Sequence, residues 1–398
     1  MGSLGKLFLV IGVAALCWAI RPAGLNAETA APLFGPESKL FEGYVVAPGG
    51  KNVVAYDNSF YMAIMADAAD GGGSLIRVAR VSASGSPVTG VAIAKPSGVL
   101  TNRLSMAVSD SSTPAGRKTV HLIWRQEGEG ERGLFYSWAM DDKLDKWSVP
   151  VRINGKNAHF NAASIVVSRK GDRHVIFIGD GPKMYYTKAA AGSKNFTAPV
   201  EIPGIPNFDD RDVDTALDSE GTLHVAFVAA ESPTYEEGKR FGLQYTNLKA
   251  AAKKWSAPKV VAPMTALPGK GNIGIAAGGP KNVFIVSSLM NRNLEVYRST
   301  DGGETWSSST ASAGKVDTSP SIAVAADNSV TVGAAFVLTD GESQEVRILR
   351  SADGVTWSPA AVIPGLFSVT IALDSKGKAA IFARKSDGSD FNYLFREK

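Results

Sequence analysis

The stretch RSTDGGETWSSS (298–309) decides the fold, because it recurs 51 residues later as RSADGVTWSPAA (350–361). Three looser copies precede it, and each combines an aromatic-led strand, a polar turn, a Trp or Phe and a β-branched strand. Those copies span 136–153, 186–202 and 245–261. A fixed period of this length predicts a repeat architecture in which every copy is one small structural unit.

A second pattern, made of a strand, a tight polar turn and another strand, precedes the copies. It is clearest in ALDSEGTLHVAFVAA (216–230) and returns at 166–180, 323–337 and 372–385. Each unit therefore contains four short strands, and no long amphipathic helical pattern follows residue 27. Four strands in about 40–50 residues, repeated along the chain, predict the blades of an all-β protein, a β-propeller.

The number of blades follows from counting these units. Six full units and a three-strand remainder at 367–395 are recognisable, and the segment LFEGYVVA (40–47) is available as the missing strand of the remainder. Such a closure joins the two ends of the chain and removes a free sheet edge. We therefore predict seven four-stranded blades, with six as the alternative if the weakly patterned first unit is divergent. The six full units span 53–94, 104–153, 161–202, 211–261, 272–311 and 319–363.

Residues 1–27 have the pattern of a secretory signal peptide rather than that of a blade. Lys6 precedes the apolar run 7–20, and the cleavage motif ends at Ala27. An uncleaved membrane anchor is the alternative, although the run is short for a span of about 20 residues. We expect a single propeller domain over 28–398, secreted or periplasmic, with no membrane insertion once the leader is removed.

Charge and cysteine content exclude several classes of function. Removing Lys6 and Arg21 with the leader leaves 40 basic and 38 acidic side chains, and Cys17, the one cysteine, leaves with them. This near balance, without a lysine or arginine tract, argues against a nucleic-acid partner. A mature chain without cysteine has no disulfide and no thiolate chemistry.

The repeated phrase resembles the Asp-box, or bacterial neuraminidase (BNR) repeat, of the sialidase superfamily, with the pattern Ser-x-Asp-x-Gly-x-Thr-Trp. STDGGETW (299–306) matches every position, and SADGVTW (351–357) lacks one turn residue. Asp301 is expected to accept hydrogen bonds from its own turn, and the glycines after it allow positive φ. Trp306 is expected between neighbouring sheets, where its N–H needs one partner. Because the resemblance implies boxes at the blade periphery, we interpret the phrase as a folding element.

The candidate ligand site is the mouth of the central channel, where the innermost strands begin. Aligning these strands gives two columns of mostly small and polar residues on one face. The stretch NFDDRDVD (207–214) departs from this norm, and its carboxylates suit a cation such as calcium, sugar hydroxyls or a basic group. The alternative is a solvated acidic loop that Arg211 partly neutralises. The candidate binding residues are Arg103, His159, Asp209, Asp210, Arg211, Asp212, Asp214 and Asn272.

Three histidines occupy one position in successive blades, and we interpret them as core or edge residues of the repeat. They are His121, His174 and His224. Equivalent positions of neighbouring blades lie about 10 Å apart or more, which is too far to share a metal ion.

The resemblance to sialidases also implies catalytic groups, of which few are recognisable. An Arg-Ile-Pro is expected early in the first blade, but the chain has GGKNVVAYD (49–57) there. MADAADGGG (65–73) is similar to the loop that carries the acid/base, which makes Asp67 or Asp70 the candidate. No nucleophilic tyrosine and no three-arginine clamp for a carboxylate is assigned.

These observations favour a binding module over an enzyme. We expect the exported propeller to bind a glycan or an envelope or extracellular protein, without a cofactor except, in one hypothesis, calcium. The alternative is a glycoside hydrolase of sialidase type, or a lyase, that uses channel-facing carboxylates. A second carboxyl group facing Asp212 or Asp214 across the channel would favour the enzyme.

Overall fold

The described part of the chain is built from 29 β-strands, and no helix in it is long and apolar enough to cross a membrane. The structure is a computed structural model. It describes residues 34–35, 37–42, 51–67, 74–82, 88–95, 99–110, 117–127, 132–155, 162–168, 170–179, 183–205, 208–231, 240–252, 254–266, 273–279, 281–288, 293–316, 320–338, 343–385 and 391–398.

The strands form seven antiparallel blades in a ring, so the prediction of a seven-bladed β-propeller is confirmed and the six-bladed alternative is wrong. The weakly patterned first unit is a complete blade. Blade 1 contains β2 (Val53–Tyr56), β3 (Ser59–Asp67), β4 (Ser74–Ser82) and β5 (Val88–Lys95). Blade 2 contains β6 (Val99–Asp110), β7 (Lys118–Glu127), β8 (Gly133–Met140) and β9 (Val151–Arg152). Blade 3 contains β10 (Ala163–Val167), β11 (Arg173–Gly179), β12 (Lys183–Ala189) and β13 (Val200–Glu201).

The other four blades follow the same order from the channel outwards. Blade 4 contains β14 (Phe208–Leu217), β15 (Leu223–Ala230), β16 (Arg240–Leu248) and β17 (Lys259–Ala266). Blade 5 contains β18 (Ile273–Gly278), β19 (Asn282–Ser287), β20 (Leu294–Ser299) and β21 (Ser307–Ser312). Blade 6 has a divided inner strand, β22 (Lys315–Val316) and β23 (Ser321–Val324), and then β24 (Val330–Val337), β25 (Gln344–Ser351) and β26 (Ser358–Pro364). Blade 7 contains β27 (Leu366–Leu373), β28 (Ala379–Lys385), β29 (Phe391–Arg396) and, outermost, β1 (Ser38–Glu42).

The ring is closed by the N-terminal strand, as the sequence predicts. β1 pairs antiparallel with β29, with Ser38 opposite Leu394 and Lys39 opposite Tyr393. The closing strand begins two residues earlier than the predicted segment 40–47, and residues 43–47 lie outside the described part. This pairing covers the outer edge of the last blade with the first strand of the domain.

The hydrophobic core is divided into seven clusters, and each lies between two successive blades. Between blades 3 and 4, for example, Ile178 packs with Val213 and Phe227. Phe60 and Phe382 belong to the cluster between blades 1 and 7, which completes the ring. Strands packed on both sides explain the nearly continuous apolar runs, because alternate residues face opposite neighbours.

The antiparallel order gives the propeller two different faces. The turns from the first to the second strand and from the third to the fourth strand of a blade lie on one face, which we call the hairpin face. The inner strands begin at the opposite face, which we call the mouth face. The candidate residues Arg103 and Asp209 to Asp212 therefore belong to the mouth face, whereas the repeated phrase belongs to the hairpin face.

The turns at 299–306 and 351–357, which we call the repeat turns, have the predicted geometry. Asp301 accepts from the N–H groups of Glu304 and Thr305 at 2.9 Å, and Asp353 accepts from Thr356 N–H at 2.7 Å. The prediction of a partner for the indole N–H is wrong for Trp306, whose buried Nε1 has no hydrogen bond within the described residues. That ring is instead held edge-on against a tyrosine of the preceding blade, at 5.1 Å between centroids.

Candidate functional site

The inner strands are joined around the channel by a belt of hydrogen bonds. In three places a side chain of one blade accepts from a backbone N–H of the next. These bonds join Ser105 Oγ to Ile165 N at 3.1 Å, Asp214 Oδ2 to Ile275 N at 3.0 Å, and Ser321 Oγ to Ile371 N at 2.9 Å. The column of small polar residues is thus explained by packing, since a short acceptor at this position holds two blades together.

Asp214 alone carries a charge among the described side chains that accept these bonds. It is 7% exposed, and its Oδ1 accepts from Thr215 N at 2.7 Å and from Ser164 Oγ at 3.3 Å. Burial raises the pKa of Asp214, although the nearby Lys51 ammonium and the N–H groups of Ile275 and Thr215 act in the opposite direction. A carboxylate thus occupies a position where serine accepts the equivalent bond in blades 2 and 6.

Lys51 supplies the opposite charge from across the ring. It precedes β2 of blade 1, and its carbonyl takes part in the belt by accepting from Met106 N at 2.6 Å. Its Nζ donates to the carbonyl of Thr215 in blade 4 and lies 3.5 Å from the carbonyl oxygen of Ile275 in blade 5. Because blades 4 and 5 are each three places away from blade 1 in the ring, the Lys51 side chain spans the channel.

Lys51 and Asp214 place opposite charges at the channel but leave few atoms without a hydrogen bond for chemistry. Both carboxylate oxygens of Asp214 already accept hydrogen bonds, and the nearby Lys51 ammonium is bonded to the carbonyl of Thr215. This geometry suits electrostatic recognition of a polar ligand.

Three inner strands have an irregular register where they enter the channel from the mouth face, and two of these, β6 and β14, carry candidate residues. Along β6, the register changes between Leu100 and Leu104, so Arg103 lies in the irregular stretch. Along β14, it changes between Phe208 and Val213. The second stretch contains four candidates, Asp209, Asp210, Arg211 and Asp212. Bulges are concentrated at rims and beside functional sites, where they redirect side chains.

The remaining candidates are placed only in part. Asp67 ends β3 opposite Ser74, and its side chain, like those of Arg103 and 209–212, is outside the described part. His159, Asn272 and Asp70 lie entirely outside the described residues. Among the side chains that are described, no group of three or more Asp, Glu, His or Cys forms a metal site.

The three repeated histidines are core and edge residues, as predicted. Each Nδ1 shares a hydrogen bond with a tyrosine hydroxyl of the adjacent strand. The pairs are His121 with Tyr136 at 2.8 Å, His174 with Tyr186 at 2.8 Å and His224 with Tyr245 at 2.5 Å. Burial lowers the pKa of His121 to about 3, with a further contribution from Arg173, and burial lowers that of His174 to about 4.

Sequence reasoning missed Lys51, although the segment that contains it was singled out for lacking Arg-Ile-Pro. The only signal available was a single charged side chain in GGKNVVAYD (49–57), immediately before an inner strand. Its contacts are with residues 164 and 224 positions away, which no local pattern reveals.

Comparisons with known proteins show the fold alone. No family model and no curated protein matches the chain. Among solved structures, the BP39L lectin from Burkholderia pseudomallei is 15% identical with a TM-score of 0.58, over 87% of this chain and 98% of the lectin. The PL25 ulvan lyase bound to -[GlcA(1-4)Rha3S]- is 10% identical with a TM-score of 0.62, over 91% and 96%. The NanB sialidase from Streptococcus pneumoniae is 12% identical over 92% and 70%, and its TM-score of 0.47 is too low to support an argument.

Proposed function

We propose that the chain is an exported carbohydrate-binding β-propeller of the sialidase-like Asp-box class that presents its mouth face to a glycan at or beyond the cell envelope. The observation that carries the proposal is the Lys51 side chain across the channel. Together with the buried Asp214 carboxylate, it would give a ligand that enters from the mouth a charged floor. Convergent polar groups on rigid strands are typical of ligand sites.

The rim supplies the second part of the argument. The irregular stretches of β6 and β14 bring Arg103 and the run 209–212 to the mouth face, where charged and hydrogen-bonding groups suit sugar hydroxyls. Two of the solved propellers of similar fold are named as a lectin and as a polysaccharide lyase, which supports a carbohydrate as the class of ligand. An envelope or extracellular protein is the other partner of this hypothesis.

One observation favours a second candidate function, a glycoside hydrolase or lyase. The irregular stretch of β14 carries three aspartates, and glycosidases use two carboxyl groups about 5–10 Å apart. The binding function is preferred because Asp214, a buried carboxylate of this strand, has its oxygens occupied by donors and lies near the Lys51 ammonium.

The test is a glycan array combined with a hydrolysis screen of fluorogenic sialosides and other glycosides, with and without calcium. We expect wild-type protein to bind at least one glycan without cleaving it. Lys51→Met should weaken that binding at least about tenfold, because a charge-assisted contact is lost. Ser105→Ala is the matched control, since it removes one bond of the belt away from the charged pair and should retain binding.

The outcomes separate the hypotheses. Cleavage that Asp212→Asn or Asp67→Asn abolishes would establish the enzyme and overturn the binding proposal. Absence of both binding and cleavage would exclude the glycan, and pull-down experiments would then test a protein partner. Equal binding by wild type and Lys51→Met would place the ligand away from the channel floor.

Export is tested separately. We expect the protein recovered from an exporting host to begin at residue 28, because the leader pattern ends at Ala27. Mass spectrometry of the intact protein measures this directly. A full-length mass in the membrane fraction would support the uncleaved anchor instead.

A further inference from the structure

A second cavity lies on the hairpin face, between blades 2 and 3. Its volume is about 350 Å³, which accommodates a single sugar residue, and its lining comes from the ends of β6, β7 and β8 and from the turns around β11 and β12. It lies on the face opposite the mouth, since the inner strands begin at the mouth face and end at the hairpin face. The residues that matter for its chemistry are Ser109, His121, Trp138, Lys170, Arg173 and Lys194.

Arg173 is a buried cation without a carboxylate partner in the described part of the chain. It is only 5% exposed, and its Nη2 donates to the carbonyls of Ala190 and Ser193. Its Nε is buried and has no hydrogen bond. Burying a guanidinium with incomplete hydrogen bonding is costly, so the equivalent position in the next blade is informative.

The next blade interface shows that packing alone does not require an arginine. Leu223 holds the equivalent position in blade 4, directly before His224 as Arg173 is directly before His174. Leu223 is 1% exposed and packs in the cluster that contains Trp255. Arg173 lies instead over Tyr136 and Phe196, with 5.8 and 5.9 Å from Cζ to the ring centroids. An aliphatic side chain fills the same place one blade further on.

The rest of the cavity combines an aromatic surface with positive charge. Trp138 is half-buried and stands opposite His121 in the strand register. Lys170 and Lys194 are exposed members of the lining. The one acidic member, Asp110, is already bound by the Lys118 ammonium at 2.5 Å. The cavity is therefore cationic, with one aromatic ring.

We propose that this cavity is a second binding site, which takes an acidic sugar residue with its carboxylate or sulfate toward Arg173 and its ring against Trp138. Guanidinium groups attract and bind carboxylate and sulfate, and Arg173 is part of the cavity lining. Lys170 and Lys194 add positive charge at the rim. The inference rests on the proposed function only for the choice of a sugar, because it uses different residues on the opposite face.

The experiment titrates the whole protein with glucuronic acid, glucose 6-sulfate, glucose and sodium sulfate. Binding is measured by saturation-transfer NMR and by Trp fluorescence. We expect both acidic sugars to bind and glucose to bind at least about tenfold more weakly. Arg173→Leu should reduce binding of the acidic sugars at least about tenfold while the protein stays folded, because it installs the residue that blade 4 uses at this position. Trp138→Ala is the second variant, and it should reduce binding without changing the charge.

Several results would overturn the site. One is equal binding of glucose and glucuronic acid, and another is acidic-sugar binding that survives Arg173→Leu in folded protein. Sulfate binding as tight as that of glucose 6-sulfate would reduce the site to an anion site and overturn the sugar. A failure here and a failure at the mouth are distinguishable, because this titration is compared with Arg173→Leu and the glycan array is compared with Lys51→Met.

Discussion

Asp301 and Asp214 are both fully hydrogen-bonded aspartates, but they are bonded in opposite ways. Asp301 is exposed, and its partners Ser299, Glu304 and Thr305 lie within four residues of it in the same turn. Asp214 is buried, and besides its neighbour Thr215 its partners come from blades 3 and 5. The first is a local structure that both repeat turns form, whereas the second requires three neighbouring blades to be assembled.

The pKa values of the two aspartates shift in opposite directions, because hydrogen bonds dominate at Asp301 and burial dominates at Asp214. Partial burial opposes the change at Asp301, but hydrogen bonds from Thr305, Ser299 and Glu304 hold its pKa well below the usual value. At Asp214, burial outweighs the donors and the Lys51 ammonium and raises the pKa. Local bonding in water favours the charged form, and burial at the centre disfavours it.

The largest effect is expected where the repeat turn meets the preceding blade. A Cβ added at Gly303 would lie 2.2 Å from Cε1 of Tyr245, and the residue has φ +92°. Tyr245 cannot move aside, since it is fully buried between His224 and Trp306. We expect Gly303→Ala to lower the free energy of unfolding by roughly 3–5 kcal/mol, from overpacking and left-handed strain together. Chemical denaturation measures this loss.

Gly302 is the matched control for that substitution. It has φ +78°, and a Cβ there would meet nothing within 4 Å. Gly302→Ala should therefore cost only the left-handed strain, about 1–2 kcal/mol. Equal losses at the two glycines would show that backbone strain, and not contact between blades, makes the repeat turn important.

The second prediction concerns the charged pair at the channel. Lys51→Met should lower the free energy of unfolding by about 2–3 kcal/mol, because it removes two hydrogen bonds and leaves the buried Asp214 carboxylate without a cation. Asp214→Ser installs the residue found in three other blades and should lessen that loss. The double variant should be more stable than the sum of the two single losses by at least about 1 kcal/mol.

Additive losses in this double-mutant cycle would contradict the coupling between Lys51 and Asp214. Ser321→Ala provides the comparison, because it removes a belt bond to Ile371 without touching either charge. Its loss should be about 1 kcal/mol and should be additive with Lys51→Met.

The same contrast explains how far sequence reasoning reached. The blades, the closure and the turn around Asp301 were predictable, because each depends on a pattern contained in a few residues or on a simple count of strands. The prediction failed for the N–H of Trp306, since whether an indole finds a partner depends on the neighbouring blade. Features that depend on neighbouring residues in the sequence could be predicted, but contacts between blades could not.

The same difference separates the site residues that the sequence predicted from those that it did not. The alignment of inner strands found Asp214 and the run 209–212, because the departure from small residues is visible in the sequence. It could not find Lys51, which reaches residues of blades 4 and 5, or the cavity beside Arg173. Arg173 is unusual only in comparison with Leu223, which fills the equivalent buried position of the next blade.

The smallest expected effect concerns His121, which is hydrogen-bonded within its own blade. It tests whether burial sets the pKa of such a group. His121 bonds to Tyr136 and to Ser109, and its pKa is about 3 because the ring is buried and Arg173 is near. The unfolded chain takes up this proton below about pH 6.5, whereas the folded protein does so only near pH 3. Stability from His121 is therefore present above pH 6.5 and is lost as the pH falls, by about 2 kcal/mol at pH 5.

His121→Gln removes this titration and keeps an acceptor and a donor at the position. Its free energy of unfolding should fall less than that of wild type between pH 7 and pH 5, when measured by denaturation at each pH. His174→Gln should show the same sign and nearly the same size at pH 5, because a pKa of about 4 still keeps that ring mostly neutral there. If His121→Gln lost stability as steeply as wild type, the acid sensitivity would belong to other groups, and burial of His121 would not outweigh its hydrogen bonds in setting its protonation state.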